Sequence, residues 1–179
     1  MSLKKCPEVV IVAGSDSDRP IIDESGMLDV LNAVGIDWEL SYLSAHRHDA
    51  DLTAYCEKMV LEGAKIFIAI ASMSAALPGA IAAKTNFRIP VIGVPLVASD
   101  GISNGMDALM SMIRLPPGVP VMVVGMGKTG LKNSALAAAQ IIASTDNPAG
   151  VYEKLSTYIS EKKKRPQINV VRSPEPPKD

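Results

Sequence analysis

The sequence has few of the residues that build disulfide-linked, zinc-binding or nucleic-acid-binding proteins. Its 179 residues include two cysteines and two histidines, and the net charge is −1. Two cysteines form no disulfide framework and, with two histidines, make no credible zinc site, so we expect a reduced, cytoplasmic protein without a metal. The near-zero net charge indicates neither a nucleic-acid surface nor a polybasic membrane patch.

Long hydrophobic runs are also missing. No apolar stretch approaches the roughly 20 residues that cross a bilayer, and the first residues do not resemble a signal peptide. Aromatic residues make up only 4%, although 47% of the chain is hydrophobic. This length and composition predict a single α/β domain over residues 1–165, followed by a proline-rich tail over residues 166–179.

Short β-branched runs alternate with segments of helical periodicity. The predicted strands span residues 9–13, 38–44, 66–71, 91–97 and 119–124. The predicted helices are one that ends near residue 34 and others at 49–62, 80–85, 106–114, 133–144 and 147–164. This alternation predicts a three-layer, doubly wound parallel sheet of flavodoxin-like type, with an additional C-terminal helix. The polar loop over residues 99–105 is predicted to be a mobile flap.

The most informative stretch follows the second strand, where both histidines lie on either side of an arginine. Ser44, His46 and Arg47 place a hydroxyl, an acid/base group and a phosphate-pairing guanidinium at the carboxyl edge of the sheet, where ligands bind in such folds. His48 is predicted to be a solvated residue at the start of the next helix. The alternative is an ordinary strand-to-helix turn with acidic residues in the first helical turn.

A second polar stretch follows the first strand. Gly14 ends that strand, and Ser15 and Ser17 supply hydroxyls ahead of a helix, an arrangement that favours an anion. Asp16 and Asp18 would repel a phosphate unless one of them faces ribose hydroxyls. The stretch is neither GxGxxG nor a Walker motif, and an ordinary capped turn remains the alternative.

Small residues follow the third strand, at residues 72–79, where they let backbones approach a ligand closely. They lie at the same predicted sheet edge as the two stretches above. Lys128, in a glycine-rich segment, is a weaker candidate for binding phosphate. The pattern alone therefore predicts a site that binds a small molecule with a phosphate group and that contains one histidine.

Several short motifs carry a resemblance to a known family. They are GSDSD at 14–18, SAHR at 44–47, LPG at 77–79, PVIGVP at 90–95 and LPPGVP at 115–120. Together, over roughly residues 8–160, they resemble the PurE family, which comprises N5-carboxyaminoimidazole ribonucleotide mutases and the related aminoimidazole ribonucleotide carboxylases. The resemblance implies an isomerase of purine biosynthesis that is cofactor-free, metal-free and homo-octameric, and that moves a carboxyl group from the exocyclic nitrogen to carbon 4 of its phosphoribosyl substrate.

The resemblance also implies a role for each motif residue. His46 is the expected general acid and base, Arg47 the expected partner of the 5′-phosphate, and Asp18 that of the ribose hydroxyls. The other residues that we predict to bind substrate are Ser15, Ser17, Ser44, Ser72, Met73, Ser74 and Leu77.

One segment departs from the mutase pattern. Where those mutases have Gly-Gly-Ala-Ala-His before Leu-Pro-Gly, this chain has Ser-Met-Ser-Ala-Ala, so that Met73 replaces a glycine and Ala76 the second histidine. Replacing Met73 by glycine is expected to lower stability, because glycine loses more freedom on folding. The departure leaves three alternatives: a CO2-dependent aminoimidazole ribonucleotide carboxylase, a PurE-like paralogue with another substrate, and a non-catalytic binder of a phosphorylated metabolite.

Overall fold

The computed structural model describes residues 6–98, 102–145 and 147–162. Its five-stranded parallel sheet comprises β1 (Val9–Ala13), β2 (Trp38–Tyr42), β3 (Ile66–Ala71), β4 (Val91–Pro95) and β5 (Met122–Val123). The strand order is β2-β1-β3-β4-β5, which confirms the predicted flavodoxin-like, doubly wound sheet. The predicted proline-rich tail, residues 166–179, lies outside the described residues.

Helices cover both faces of the sheet. They are α1 (Arg19–Glu24), α2 (Met27–Val34), α3 (Asp49–Glu62), α4 (Leu77–Lys84), α5 (Met106–Ile113), α6 (Gly127–Thr145) and α7 (Val151–Lys162). Short 3-10 turns occupy Asp16–Asp18, Ile102–Gly105 and Pro148–Gly150. Within the described part of the chain, no helix combines the length and apolar character needed to cross a membrane.

The two faces of the sheet form separate cores. Because successive side chains on a strand point to opposite faces, Val9 and Ile11 pack toward α1, α2, α6 and α7, whereas Val10 and Val12 pack toward α3, α4 and α5. Every residue of β1 is fully buried. Such burial on both faces explains why this strand reads as a continuous apolar run rather than as an alternating pattern.

The predicted first helix is in fact two helices. Helix α1 ends at Glu24 and α2 begins at Met27. Gly26 between them has φ 73°, in the left-handed region that glycine enters without strain. The Ser25 hydroxyl donates to the Ile22 carbonyl (2.7 Å) and accepts from the Met27 N–H (3.1 Å), so the break is closed by local hydrogen bonds.

The C-terminal elements also differ from their predicted bounds. Strand β5 pairs with β4 only over Met122–Val123, and α6 begins at Gly127 rather than at residue 133. A Cβ on Gly130 would collide with the Gly125 backbone, so glycine lets α6 begin close to the preceding turn. Helix α6 packs against α2, α7 and β4 of the same chain, which accounts for much of its apolar sequence.

Candidate active site

A cavity of about 860 Å³ opens at the carboxyl ends of the strands, a size typical of small-molecule sites. It lies beside the neighbouring strands β1 and β3, where a sheet of this order reverses direction and ligands bind. All of the predicted site residues line it: Ser15, Ser17, Asp18, Ser44, His46, Arg47, Ser72, Met73, Ser74 and Leu77. The fold thus brings together three segments that are far apart in the sequence.

The segment after β1 supplies hydroxyls and a carboxylate. The Gly14 N–H donates to the Ile70 carbonyl (2.9 Å), so the chain leaves β1 still attached to β3. The Ser15 side chain accepts from the Ser17 N–H (3.3 Å), and the two serine hydroxyl oxygens lie 2.8 Å apart. Burial raises the pKa of the Asp18 carboxyl above its ordinary value, and the nearby charge of Asp16 adds to the rise.

The segment after β2, which we name the histidine turn (residues 44–48), carries the acid/base candidate. Strand β2 ends at Tyr42, before the predicted end at residue 44. Ser44 is only 7% exposed, whereas His46 and Arg47 are exposed on the turn and line the cavity. The Ser44 hydroxyl accepts from the His46 N–H (3.3 Å), so the backbone of His46 is tied to a buried residue.

His48 is exposed at the start of α3, as predicted, but it is not merely solvated. Its Nδ1 accepts a hydrogen bond from the Ser44 N–H (3.2 Å), and its own N–H donates to the Ser44 carbonyl (2.9 Å). This contact belongs to the same turn as His46. Sequence reasoning missed it because helix-start residues usually turn their side chains toward the helix.

The segment after β3 contains the departure from the mutase pattern. Met73 has φ 44°, a left-handed conformation that is strained for a residue with a side chain. Its side chain is 47% exposed and lines the cavity together with Ala76. Because the cavity stays open, Met73 forms part of its wall and does not fill it. Leu77, which begins α4, is buried.

Sequence reasoning missed the contribution to the cavity of the residues that follow β4. Leu96, Val97 and Ala98 line it, and the Leu96 N–H donates to the Ala71 carbonyl at the end of β3 (2.9 Å). Residues 96 and 97 belong to the predicted strand, which hid their place at the rim. The alternation of strands and helices predicts a parallel sheet, in which β4 ends at the same edge as the other strands. That pattern could have indicated that the residues after β4 line the cavity. Of the predicted flap, residues 99–101 lie outside the described part of the chain.

One other predicted candidate is placed away from this cavity. Lys128 does not line it, and its ammonium group lies 2.6 Å from the Glu24 carboxylate. Cys56, a residue of α3, is fully buried in the core. In residues 6–98, 102–145 and 147–162, no group of histidine, cysteine, aspartate and glutamate side chains has an arrangement suited to a metal ion.

Known proteins share both the sequence and the fold. Residues 8–165 match the family model described as AIR carboxylase. The chain is 40% identical over 158 residues to the N5-carboxyaminoimidazole ribonucleotide mutase of Pyrococcus abyssi, covering 88% of this chain and 85% of that protein. For the mutase of Bacillus subtilis the identity is 38% over 167 residues, with 93% and 96% covered. The crystal structure of Treponema denticola PurE superimposes with a TM-score of 0.73 at 26% identity, covering 86% and 90%.

Proposed function

The chain belongs to the AIR carboxylase family, and we propose that it converts N5-carboxyaminoimidazole ribonucleotide into its 4-carboxy isomer in purine biosynthesis. The observation that carries the proposal is the meeting of His46, Arg47 and Asp18 in one cavity of about 860 Å³. Relatives at 40% and 38% identity, of which the chain covers 85% and 96%, bear the name of this mutase. The enzyme class is isomerase.

The reaction adds one proton to the substrate and removes a different one, so its proton balance is zero. Protonation of the exocyclic nitrogen breaks its bond to the carboxyl group and releases CO2 and the free amine. Carbon 4 then attacks CO2, and removal of the ring proton at carbon 4 restores the aromatic imidazole. His46 donates the first proton and accepts the second, so the enzyme returns to its starting state. A single imidazole suits both steps because it works as acid and base near neutral pH.

The remaining polar groups of the cavity hold the ribonucleotide. Arg47 pairs with the 5′-phosphate through its planar guanidinium, which matches two phosphate oxygens at once. The paired hydroxyls of Ser15 and Ser17 complete the phosphate site, and Ser44, which is hydrogen-bonded to His46, lines the same cavity. Asp18 accepts hydrogen bonds from the ribose hydroxyls. This assignment keeps its carboxylate away from the phosphate.

Retention of CO2 between the two steps requires a dry pocket. The walls beyond the polar groups include the apolar side chains of Leu77 and Leu96 and the methyl group of Ala75. A loop that closes over the cavity confines the released CO2 next to carbon 4.

A second candidate function stays within the family but changes the substrate. Met73 places a half-exposed thioether chain at the cavity wall, and Ala76 offers no polar group there. Both features suit a carboxylated or phosphoribosyl-like compound that differs from the mutase substrate at its ring. Direct carboxylation of aminoimidazole ribonucleotide by free CO2 would form the same 4-carboxy product from a different substrate, and a non-catalytic metabolite binder would form no product.

We assign the chain to a cytoplasmic homo-octamer. The physical support is an exposed apolar stripe on α5, defined by Met106, Met110 and Ile113, which are 40%, 40% and 51% exposed. Their spacing places them on one face of the helix. Met122 of β5 adds a further exposed side chain next to α5. A second copy that covers this stripe removes apolar surface from water.

The test combines binding with turnover. The protein is heated with aminoimidazole ribonucleotide, its N5-carboxy and 4-carboxy forms, AMP and ribose 5-phosphate, and the best stabiliser is then assayed for isomerisation. We expect the carboxylated ribonucleotides to raise the melting temperature most and to interconvert without ATP. Stabilisation by AMP alone, without turnover, would favour the non-catalytic binder. Conversion of the unmodified ribonucleotide with bicarbonate, but not of its N5-carboxy form, would favour the direct carboxylase.

A further inference from the structure

Two reciprocal hydrogen bonds close the histidine turn at its base. The Ser44 N–H donates to the His48 Nδ1 (3.2 Å), and the His48 N–H donates to the Ser44 carbonyl (2.9 Å). His46 and Arg47 lie between these two residues. His46 and Arg47, the two residues that we propose to act on the substrate, are therefore held on a loop whose ends are joined by the His48 imidazole.

The orientation of His48 is unusual for its place in the fold. It occupies the N-cap of α3, where serine, threonine, aspartate and asparagine accept hydrogen bonds from the first N–H groups of the helix. Its side chain makes no such bond to α3, and its φ and ψ are −127° and 43°. The imidazole points back toward β2 instead. Helix α3 therefore lacks a side-chain hydrogen bond at its N-cap, whereas the histidine turn has an additional hydrogen bond from the Ser44 N–H to the His48 ring.

The bond requires one particular tautomer of the neutral His48 ring. A ring nitrogen that accepts a hydrogen bond bears no hydrogen, so the neutral ring carries its proton on Nε2. The donor belongs to Ser44, which is 7% exposed. A buried backbone N–H without a partner destabilises the fold. His48 therefore supplies the acceptor that the start of the turn requires.

We propose that His48 is a positioning residue that acts on His46 through Ser44. The inference rests on the proposed role of His46 in proton transfer. The Ser44 hydroxyl accepts from the His46 N–H (3.3 Å), so two consecutive hydrogen bonds connect the His48 ring to the His46 backbone. Proton transfer requires close alignment with the reacting atoms. Arg47 reaches its phosphate through a long, flexible side chain and tolerates a small shift of the turn.

A matched pair of variants isolates the hydrogen bond. Asparagine and leucine have the same branched shape, but only asparagine places an acceptor where the imidazole has Nδ1. In His48→Leu we expect hydrogen exchange at the Ser44 amide to accelerate at least about tenfold and kcat to fall about tenfold, the effect of one lost hydrogen bond, with KM within about twofold. His48→Asn should restore both readouts to within about threefold of the unmodified protein.

The outcomes separate this proposal from the proposed function. Unchanged Ser44 exchange in His48→Leu would overturn the hydrogen bond, and faster exchange with unchanged kcat would overturn the positioning role. In the unmodified protein, nitrogen NMR of the His48 ring should show hydrogen on Nε2 only; hydrogen on Nδ1 would also overturn the proposal. Absence of isomerase turnover in the unmodified protein would refute the proposed function, whereas the exchange and NMR measurements need no turnover.

Discussion

The hydroxyl oxygens of Ser15 and Ser17 lie 2.8 Å apart at the rim of the cavity. The hydroxyls are held together because the Ser17 N–H donates to the Ser15 side chain at the start of a 3-10 turn. Two adjacent hydroxyls offer donors to one anion without adding a charge. The positive charge that a phosphate needs must then come from another segment, and Arg47 lines the same cavity.

Arg47 is the first residue whose change should show how the substrate is held. Arg47→Ala should raise KM by about tenfold to a hundredfold, because a charge-assisted contact worth roughly 1.5–3 kcal/mol is lost. Arg47→Lys should recover only part of the affinity, since an ammonium group lacks the planar fork. The measurement is substrate titration of both variants. The control is Lys128→Ala, which removes a cation outside the cavity and should leave KM unchanged. Unchanged affinity in both Arg47 variants would place the phosphate elsewhere.

The Asp18 carboxylate should lower the stability of the folded protein and strengthen the binding of the ligand. Because the pKa of its carboxyl is raised in the folded protein, mainly by burial, ionisation disfavours folding. The protonated Asp18 carboxyl stabilises the folded protein at pH values below the ordinary pKa. This stabilisation is lost as the pH rises through the raised pKa of the folded state. Asp18→Asn should therefore raise the melting temperature at neutral pH, and the loss of a ribose contact should weaken ligand binding by about tenfold, or 1.4 kcal/mol.

A neighbouring carboxylate provides the control for Asp18. Asp16 is exposed and does not line the cavity. Asp16→Asn should change ligand affinity by less than about threefold, a difference of roughly 0.65 kcal/mol. Melting curves between acidic and neutral pH complete the comparison. A lower melting temperature for Asp18→Asn at neutral pH would contradict the assignment of Asp18 as a partly buried, destabilising charge.

Met73→Gly should stabilise the protein, contrary to the expectation drawn from the sequence. That expectation considered only the freedom that glycine loses on folding. The φ of 44° at Met73 changes the balance, because left-handed backbone costs a residue with a side chain about 1 kcal/mol and glycine almost nothing. Urea unfolding should show a net gain smaller than that, because glycine still loses freedom worth roughly 0.5–1 kcal/mol on folding. Ser72→Gly is the control: its φ is not positive, so it should lose roughly 0.5–1 kcal/mol.

The double variant Met73→Gly, Ala76→His tests which substrate the cavity serves. Both changes restore the mutase pattern that this chain lacks. If the chain is a mutase with a reshaped wall, the double variant should keep or raise isomerase activity. Weaker binding of the natural ligand by the double variant, together with little isomerase turnover in the unmodified protein, would favour the paralogue with another substrate.

The apolar stripe on α5 gives a test of assembly. Met110→Glu places a charge in the middle of the stripe, and burial of an unpaired charge is unfavourable. Light scattering should show an octamer for the unmodified protein and a smaller species for the variant. Leu61→Glu is the control, because Leu61 is 87% exposed and lies on α3, away from the stripe. A monomeric unmodified protein would refute the octamer.

The central part of the fold could be read from the sequence because its elements are strongly patterned. The bounds of β1, β3 and α3 agree with prediction. The break at Gly26 was missed because apolar periodicity continues across it. The early start of α6 was missed because glycines such as Gly127 and Gly130 are unfavourable in helices. The glycine at 130 is explained by the backbone of Gly125, which lies too close to leave room for a side chain.

The candidate site was predictable where polar residues directly follow strands. Ser15, His46 and Ser72 all follow predicted strands, and the order of a doubly wound sheet brings their ends together. The contribution of Val97 was hidden because an apolar residue at a strand end reads as part of the strand. The bond between Ser44 and His48 depends on a side-chain direction that no local sequence pattern specifies.

The most direct test of the central claim is the isomerisation rate of His46→Asn beside that of the unmodified protein, with the melting shift recorded for both. Proton transfer by a positioned group contributes roughly 10²–10⁴-fold, and here the same group serves two steps. We predict that ligand binding stays within about tenfold, a change of roughly 1.4 kcal/mol, while turnover is abolished. Turnover that survives within about threefold, far less than the contribution of a positioned acid/base, would contradict the account and remove His46 from the mechanism.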